Sequence, residues 1–260
     1  MGGGTAFLMY HEIERRDRAT VDSARGYLRY VVREAAFREQ MAALRRSGWT
    51  ATTVGEALGP PGGEPRVALT FDDGTATDRL VAAPVLEENG FGATFYVVAG
   101  FLGRPGYLSV ADLRELAGMG FEIGSHSMTH RLLSDLDADA LRHEIVDSRD
   151  RLQQHLGRAV QHFACPGGRV SAAAVRMAKE AGYRSLATSR TGLNAAGADA
   201  FQLRRIAVHR HTTAMQVLSL CEGRGLRIRR AHERVLAAAK TLMGNARYDR
   251  VRTMLLDAGR

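Results

Sequence analysis

Two adjacent carboxylates, Asp72 and Asp73, stand at the centre of the run VALTFDDGTATD (Val67–Asp78), directly after an apolar stretch that reads as a β-strand. Side chains alternate along a strand, so neighbouring acids either diverge to opposite faces or turn into one cleft, where a cation would offset their repulsion. Further on, FEIGSHSMTHRLLSDL carries His126 and His130 at i and i+4 after a second strand-like run. In a helical turn or a tight loop that spacing brings two imidazoles to one side. Neutral imidazole is a preferred zinc ligand, and two His with one carboxylate leave a coordination position open for water, the catalytic pattern rather than the structural one. One Asp would then ligate the metal. Its neighbour, hydrogen-bonded to the water, would act as general base, since a bound zinc lowers the pKa of water from ~15.7 towards ~7. The same cation screens the second carboxylate.

Such residues need strand ends to hold them. Strand-like runs occur at Ala6–Tyr10, Arg66–Phe71, Ala93–Val98, Phe121–Gly124, Val160–Ala164, Arg184–Thr188 and Leu203–Val208, with helical patterns between them. Thr53 with Glu56 and Ser109 with Asp112 form capping-box patterns. The helix after the acidic pair places Leu80, Val81, Val85 and Leu86 on one face and stops at Gly90. Asp137–Leu156 sets Leu141, Ile145, Leu152 and Leu156 on a common side, and Ser171 opens a helix that ends near Gly182. Strand–helix alternation of this kind argues for parallel β/α architecture, and about seven units suit a barrel. Chemistry in such a barrel gathers at the C-terminal ends of its strands, where Asp72, Asp73, His126 and His130 all fall. From Thr212 onward the pattern is helical only, broken at Gly244, and predicts two or three helices packed outside the barrel.

TFDDG (Thr70–Gly74) followed by HSMTH (His126–His130) resembles the first two motifs of the polysaccharide deacetylases, carbohydrate esterase family four, over roughly residues 5–208. The resemblance implies a deformed (β/α)7 barrel, Asp72 as catalytic base, and a metal held by Asp73, His126 and His130. Zn2+ is the expected ion, with Co2+ and Ni2+ as alternatives that similar ligands accept. The third motif is altered. HFACPGG (His162–Gly168) has Ala164 where the family usually has Arg, and is similar to the Phe-Ala-Tyr-Pro-aromatic-Gly version of biofilm-type poly-N-acetylglucosamine deacetylases, with Gly167 in place of the aromatic. Around Pro166, the backbone N–H of Gly167 would still serve as an oxyanion donor. Arg204 or Arg205 in LRRI is the candidate substitute for the missing motif Arg. In the biofilm-type subgroup the general acid is a His in an early Tyr-His segment, which points to His11 in FLMYHEI; His209 and His211 in VHRHTT are the rivals. Tyr10 either contacts substrate or packs, Asn194 is a candidate for shaping the cleft, and Cys165 is expected to line the site without reacting.

The bulk properties bound the rest. A 260-residue chain, 45% hydrophobic and 25% charged, can bury a core of domain size. Residues 1–210 are expected to form the barrel and 211–260 a basic helical extension. The formal charge of +8 is concentrated in Glu222–Arg260, with ten Lys/Arg against four Asp/Glu. That tail reads as a solvated helical face or as a patch for a membrane or other anionic surface; no nucleic-acid-binding module accompanies it. Two cysteines make a disulfide framework an unlikely design, no apolar run reaches the ~18 residues of a membrane span, and the start lacks a basic region before its short apolar stretch, so the chain as given reads as cytoplasmic. The expected function is metal-dependent removal of the N-acetyl group from an amino sugar in a polysaccharide, oligosaccharide or glycan precursor. The alternatives are deacylation or deformylation of a lipid-linked or small amino sugar, and an inactive carbohydrate-binding relative.

Overall fold

A computed structural model describes residues 4–60, 63–168 and 170–231. Its first strand, β1 (Thr5–Tyr10), is buried on both faces, as a parallel-barrel strand must be. Ala6, Leu8 and Tyr10 point out into the large core beneath the helices, while Phe7 points in and joins a second, small core with Val54, Ala68, Tyr96, Ala164, Ala187 and Leu203. A short parallel pair, β2 (Ile13–Glu14) and β3 (Val32–Arg33), brackets α1 (Arg25–Leu28). Helix α2 (Glu34–Arg46) then buries Phe37, Met41 and Leu44 at helical spacing against the sheet. Strand β4 (Thr50–Thr52) and the capping-box helix α3 (Val54–Ala57) lead to β5 (Arg66–Phe71).

The ring is built in chain order. β1 pairs with β5, and β5 with β6 (Thr94–Val97); β7 (Glu122–Ser125), β8 (His162–Ala164) and β9 (Ser185–Ala187) follow, all parallel. β10 (Leu193–Asn194) lies antiparallel on the start of β1, and β11 (Ile206–Ala207) runs parallel to its end. A single parallel bridge, Ala187 to Leu203, closes the seam between β9 and the segment entering β11, with Thr188 N–H donating to the Leu203 carbonyl at 2.8 Å. β1, β5, β6, β7, β8, β9 and β11 therefore form the deformed (β/α)7 barrel, and the deformation lies at this thin seam. Its interior is filled by side chains, and Gly124 is required there: a Cβ would sit 2.4 Å from the Tyr96 ring.

The helices follow their sequence signals with one exception. Both capping boxes are made, at Thr53–Glu56 and Ser109–Asp112, the latter opening α5 (Val110–Gly118). After the acidic pair a π turn over Asp78–Ala82 runs into α4 (Ala83–Asn89), capped by Gly90 at φ 67. The wider i→i+5 turn rotates Leu80 out of the apolar stripe, so it is 46% exposed while Val81, Val85 and Leu86 are buried. The 137–156 pattern is one path: α6 (Ala138–Arg142), a second π turn, and α7 (Ser148–Leu156), with Leu141, Ile145 and Leu152 in the core. α8 (Ala172–Glu180) is capped by Ser171. α9 (Ala214–Cys221) packs on α2. The tail beyond residue 231, Gly244 included, lies outside the described residues. Among the described residues no helix is long and apolar enough to cross a membrane.

Candidate active site

The site begins where β5 ends. Asp72 continues the ladder, its N–H donating to the Tyr10 carbonyl at 3.0 Å, and by alternation its side chain points into the barrel. Asp73 then takes φ 78, in the left-handed region that Asp tolerates better than most residues. That turn breaks the two-residue alternation, so both carboxylates line one cleft.

The histidines come from the end of β7. His126 N–H donates to the Val97 carbonyl at 2.9 Å, and Ser127 (φ 71) and His130 (φ 63) fold the chain into a tight loop rather than a helical turn. Buried Glu144 braces the loop, accepting from Met128 N–H at 3.0 Å, from Thr129 N–H at 2.8 Å and from the Thr129 hydroxyl. His126 Nδ1 lies 2.9 Å from the Ala164 carbonyl, which can only accept, so Nδ1 carries the proton and Nε2 presents its lone pair. His126 Nε2 and His130 Nε2 stand 3.5 and 3.3 Å from Asp73 Oδ1. That oxygen is buried with no hydrogen-bond partner. One ligand atom from each residue falls within 4.8 Å of the others, and among the described residues no other His/Cys/Asp/Glu group does this. An orphaned carboxylate oxygen facing two imidazoles fits a divalent cation with an open position. Burial carries His126 down to about 4 against the upward pull of Asp72 and Asp73, keeping it neutral. Burial opposes ionisation of Asp73, but the close imidazoles of His130, His11 and His126 outweigh it and hold the carboxyl well below its ordinary range.

Asp72 has a different partner. Arg205, fully buried on the segment between the seam and β11, grips it with both prongs: Nη1 donates to Oδ1 at 2.6 Å and Nη2 to Oδ2 at 2.8 Å. Arg205 is itself fixed by Nε donating to the Thr188 carbonyl at 3.0 Å. Burial raises the Asp72 pKa, but the guanidinium and His126 outweigh it, so the net shift is downward and the group stays ionised. Of the two arginines in LRRI, it is Arg205 that holds Asp72, while Arg204 is exposed.

His11, His209 and Gly167 line the same cleft, of about 670 Å³. Tyr30 lies between the two imidazoles, 4.8 Å from His11 and 5.1 Å from His209 between ring centroids. Gly167 adopts φ 60, in the left-handed region that favours glycine, and a Cβ there would meet the end of the Leu132 side chain at 2.8 Å. Pro166 is buried beneath it, and burial pushes the Cys165 thiol up to about 12, so it is inert. Three expectations are corrected. Tyr10 does not reach the cleft: it faces outward from β1, stacks on Phe71 and donates to Gln40 at 3.0 Å. His211 is exposed and does not line the cleft; it lines an adjoining depression that shares Arg29 and His209 with it. Asn194 pairs with the backbone of Arg204 and lines a cavity with Phe7 and His162, away from the carboxylates. Sequence reading missed Glu144, whose signal was a carboxylate on the apolar face of the 137–156 helix.

Fold and site together define a parallel β/α barrel with an Asp-His-His group that could hold a cation beside an Arg-clamped carboxylate. Residues 59–186 match the polysaccharide deacetylase family, and the chain carries a polysaccharide deacetylase domain. It is 27% identical over 206 residues to YxkH of Bacillus subtilis, assigned as a polysaccharide deacetylase, covering 77% of this chain and 70% of that protein. A peptidoglycan-N-acetylglucosamine deacetylase of Bacillus cereus is 32% identical over 129 residues, 48% of this chain and 57% of that protein. The solved Streptococcus pyogenes deacetylase PplD, in complex with acetate, superposes with a TM-score of 0.75 at 23% identity, covering 85% of this chain and all of the other, a likeness of fold.

Proposed function

We propose that this protein is a metal-dependent deacetylase that hydrolyses the N-acetyl group of an amino sugar in a polysaccharide, oligosaccharide or glycan precursor. The observation that carries this reading is the division of labour between adjacent acids, Asp72 clamped by Arg205 and Asp73 turned onto His126 and His130. Zn2+, with Co2+ and Ni2+ as alternatives, would be held by Asp73, His126 and His130; when bound, the ion supplies Lewis-acid polarisation of the acetyl carbonyl and acidifies water. Asp72 takes the proton of the attacking water. A carboxylate kept ionised by Arg205 is a weak base, which suffices against acidified water. The backbone N–H of Gly167 steadies the developing oxyanion, and His11 protonates the departing amine. His209 is the poorer acid: burial, then the charges of Arg29 and Arg229, pull it down to about 4, so it is deprotonated at neutral pH.

Metal analysis combined with acetate release from defined N-acetyl sugars tests the reading. Asp72→Asn is expected to keep its zinc and lose roughly 10²-fold or more in kcat, the scale of general-base catalysis; an unchanged rate would refute the assignment. His130→Ala is expected to lose metal.

A further inference from the structure

We infer that Glu12 is a positioning residue for substrate binding, holding a tyrosine-bearing wall of residues 21–30 against the cleft; the inference rests on the amide-hydrolase reading of the same site. β1 ends at Tyr10, and the next two side chains diverge. His11 lines the cleft, while Glu12 is buried to 1% exposure. A carboxylate so deeply buried needs partners, and Glu12 finds them on the excursion of chain between β2 and β3. Its Oε2 accepts from the Val21 N–H at 3.0 Å and from the Tyr27 hydroxyl at 2.9 Å. Burial and the Glu12 carboxylate both keep the Tyr27 phenol protonated, so the hydroxyl is the donor. Other bonds of the excursion stay within it, such as Arg15 to Asp17 and Thr20 to Asp22. Its return is tied by the β2–β3 pairing and by the Arg210 N–H, which donates to the Arg29 carbonyl at 2.8 Å. Glu12 ties its middle, alongside the contact of Val21 with Gly106, where an added Cβ would come within 2.6 Å of Val21.

Tyr27 and Tyr30 both line the cleft. The Tyr30 N–H donates to the Tyr27 carbonyl at 2.8 Å, an i→i+3 bond that sets side chains three apart on one side. The two residues that follow β1 thus each hold one ring of this wall. His11 packs on Tyr30, and Glu12 binds the Tyr27 hydroxyl. Aromatic side chains are the usual lining of a small-molecule cleft, here placed where the non-reacting part of a sugar would lie. Asp72, Asp73, His126 and His130 are set from elsewhere, by the ends of β5 and β7 and by Arg205. Releasing the wall therefore weakens sugar binding and leaves the reacting centre in place.

Hydrogen exchange tests the pinning without turnover. Residues 15–30 of Glu12→Ala are expected to exchange about tenfold faster than in the wild type. Glu12→Gln, whose amide oxygen accepts the same two bonds, is expected to stay within about threefold. Equal exchange in Glu12→Ala and the wild type overturns the inference. In turnover of defined N-acetyl sugars by metal-loaded protein, Glu12→Ala and Tyr27→Phe are each expected to raise KM about tenfold with kcat within about threefold, the signature of lost binding. Glu12→Gln is expected to restore the wild-type KM. A fall in kcat at unchanged KM, as from a smaller folded fraction, overturns the inference. The two side chains form one link, so the double variant Glu12→Ala/Tyr27→Phe is expected to be no worse than the poorer single one; KM effects that multiply overturn it. Tyr27→Phe keeps the ring and leaves Glu12 bonded to Val21, so its KM decides the matter should Glu12→Ala not fold. Faster exchange in Glu12→Ala, from a wild-type protein that deacetylates none of these sugars, refutes the hydrolase reading and the role in sugar binding with it, while the pinned wall stands.

Discussion

Arg205 grips Asp72 from inside the barrel with 0% exposure. Arg205→Lys keeps a charge but loses the two-pronged grip. It is expected to lower kcat about 10- to 100-fold with metal content unchanged, measured by acetate release and metal analysis on one sample. Arg205→Ala leaves Asp72 buried without its cation and is expected to cost about 3–5 kcal/mol in urea unfolding, the scale for breaking a buried pair. For the acid, His11→Ala is expected to lose roughly 10²-fold in kcat, and His209→Ala much less. The reverse order would move the role to His209. TFDDG and HSMTH were legible because each carries its chemistry within five residues. Arg205 was legible only as one of two neighbours, because which of them points inward depends on the phase of a two-residue strand.

The π turn of Asp78–Ala82 sets the behaviour of a whole element. It buries Asp78 completely, with no partner for either carboxylate oxygen among the described residues. Burial, then the charges of Asp73, Glu12 and Asp72, pushes its pKa well above the ordinary value. The unfolded chain releases this proton near ~3.9 while the native state keeps it, so the native state binds more protons and stability falls as pH rises from there towards the raised pKa. Asp78→Asn is expected to melt higher than the wild type at pH 8 and to flatten that decline; each ~1 kcal/mol relieved adds about 2–4 °C. Melts with the same pH slope in both proteins would remove Asp78 as its source. Apolar periodicity located this element but not its π turn, because periodicity assumes 3.6 residues per turn, and Leu80 was misplaced for that reason. The short strands β4, β10 and β2–β3 escaped for a related reason: two or three residues are too few to show alternation.

At the scale of the molecule, seven strand-like runs predicted a seven-stranded ring, and residues 57 positions apart, Asp73 and His130, meet only when β5, β6 and β7 pair side by side. Cation binding is therefore expected to stabilise the folded state alone. Zinc at 100 times its Kd would add about 2.7 kcal/mol, a rise of roughly 5–10 °C in Tm that EDTA reverses. Asp72→Asn is expected to keep the shift and His130→Ala to lose it, and a shift that persists in His130→Ala would place the ion elsewhere.

The seam through Leu203 and Arg205 gives the proposed enzyme an order of assembly. Translation runs from N- to C-terminus, so every residue of the cation site is synthesised before the guanidinium that joins Asp72 from 133 positions downstream. A nascent or prematurely terminated chain that stops short of Leu203 holds its acids without their counter-charge and its ring without a last stave. On this reading the ribosome delivers the arming residue late, and a fragment lacking it is inert however much metal it meets.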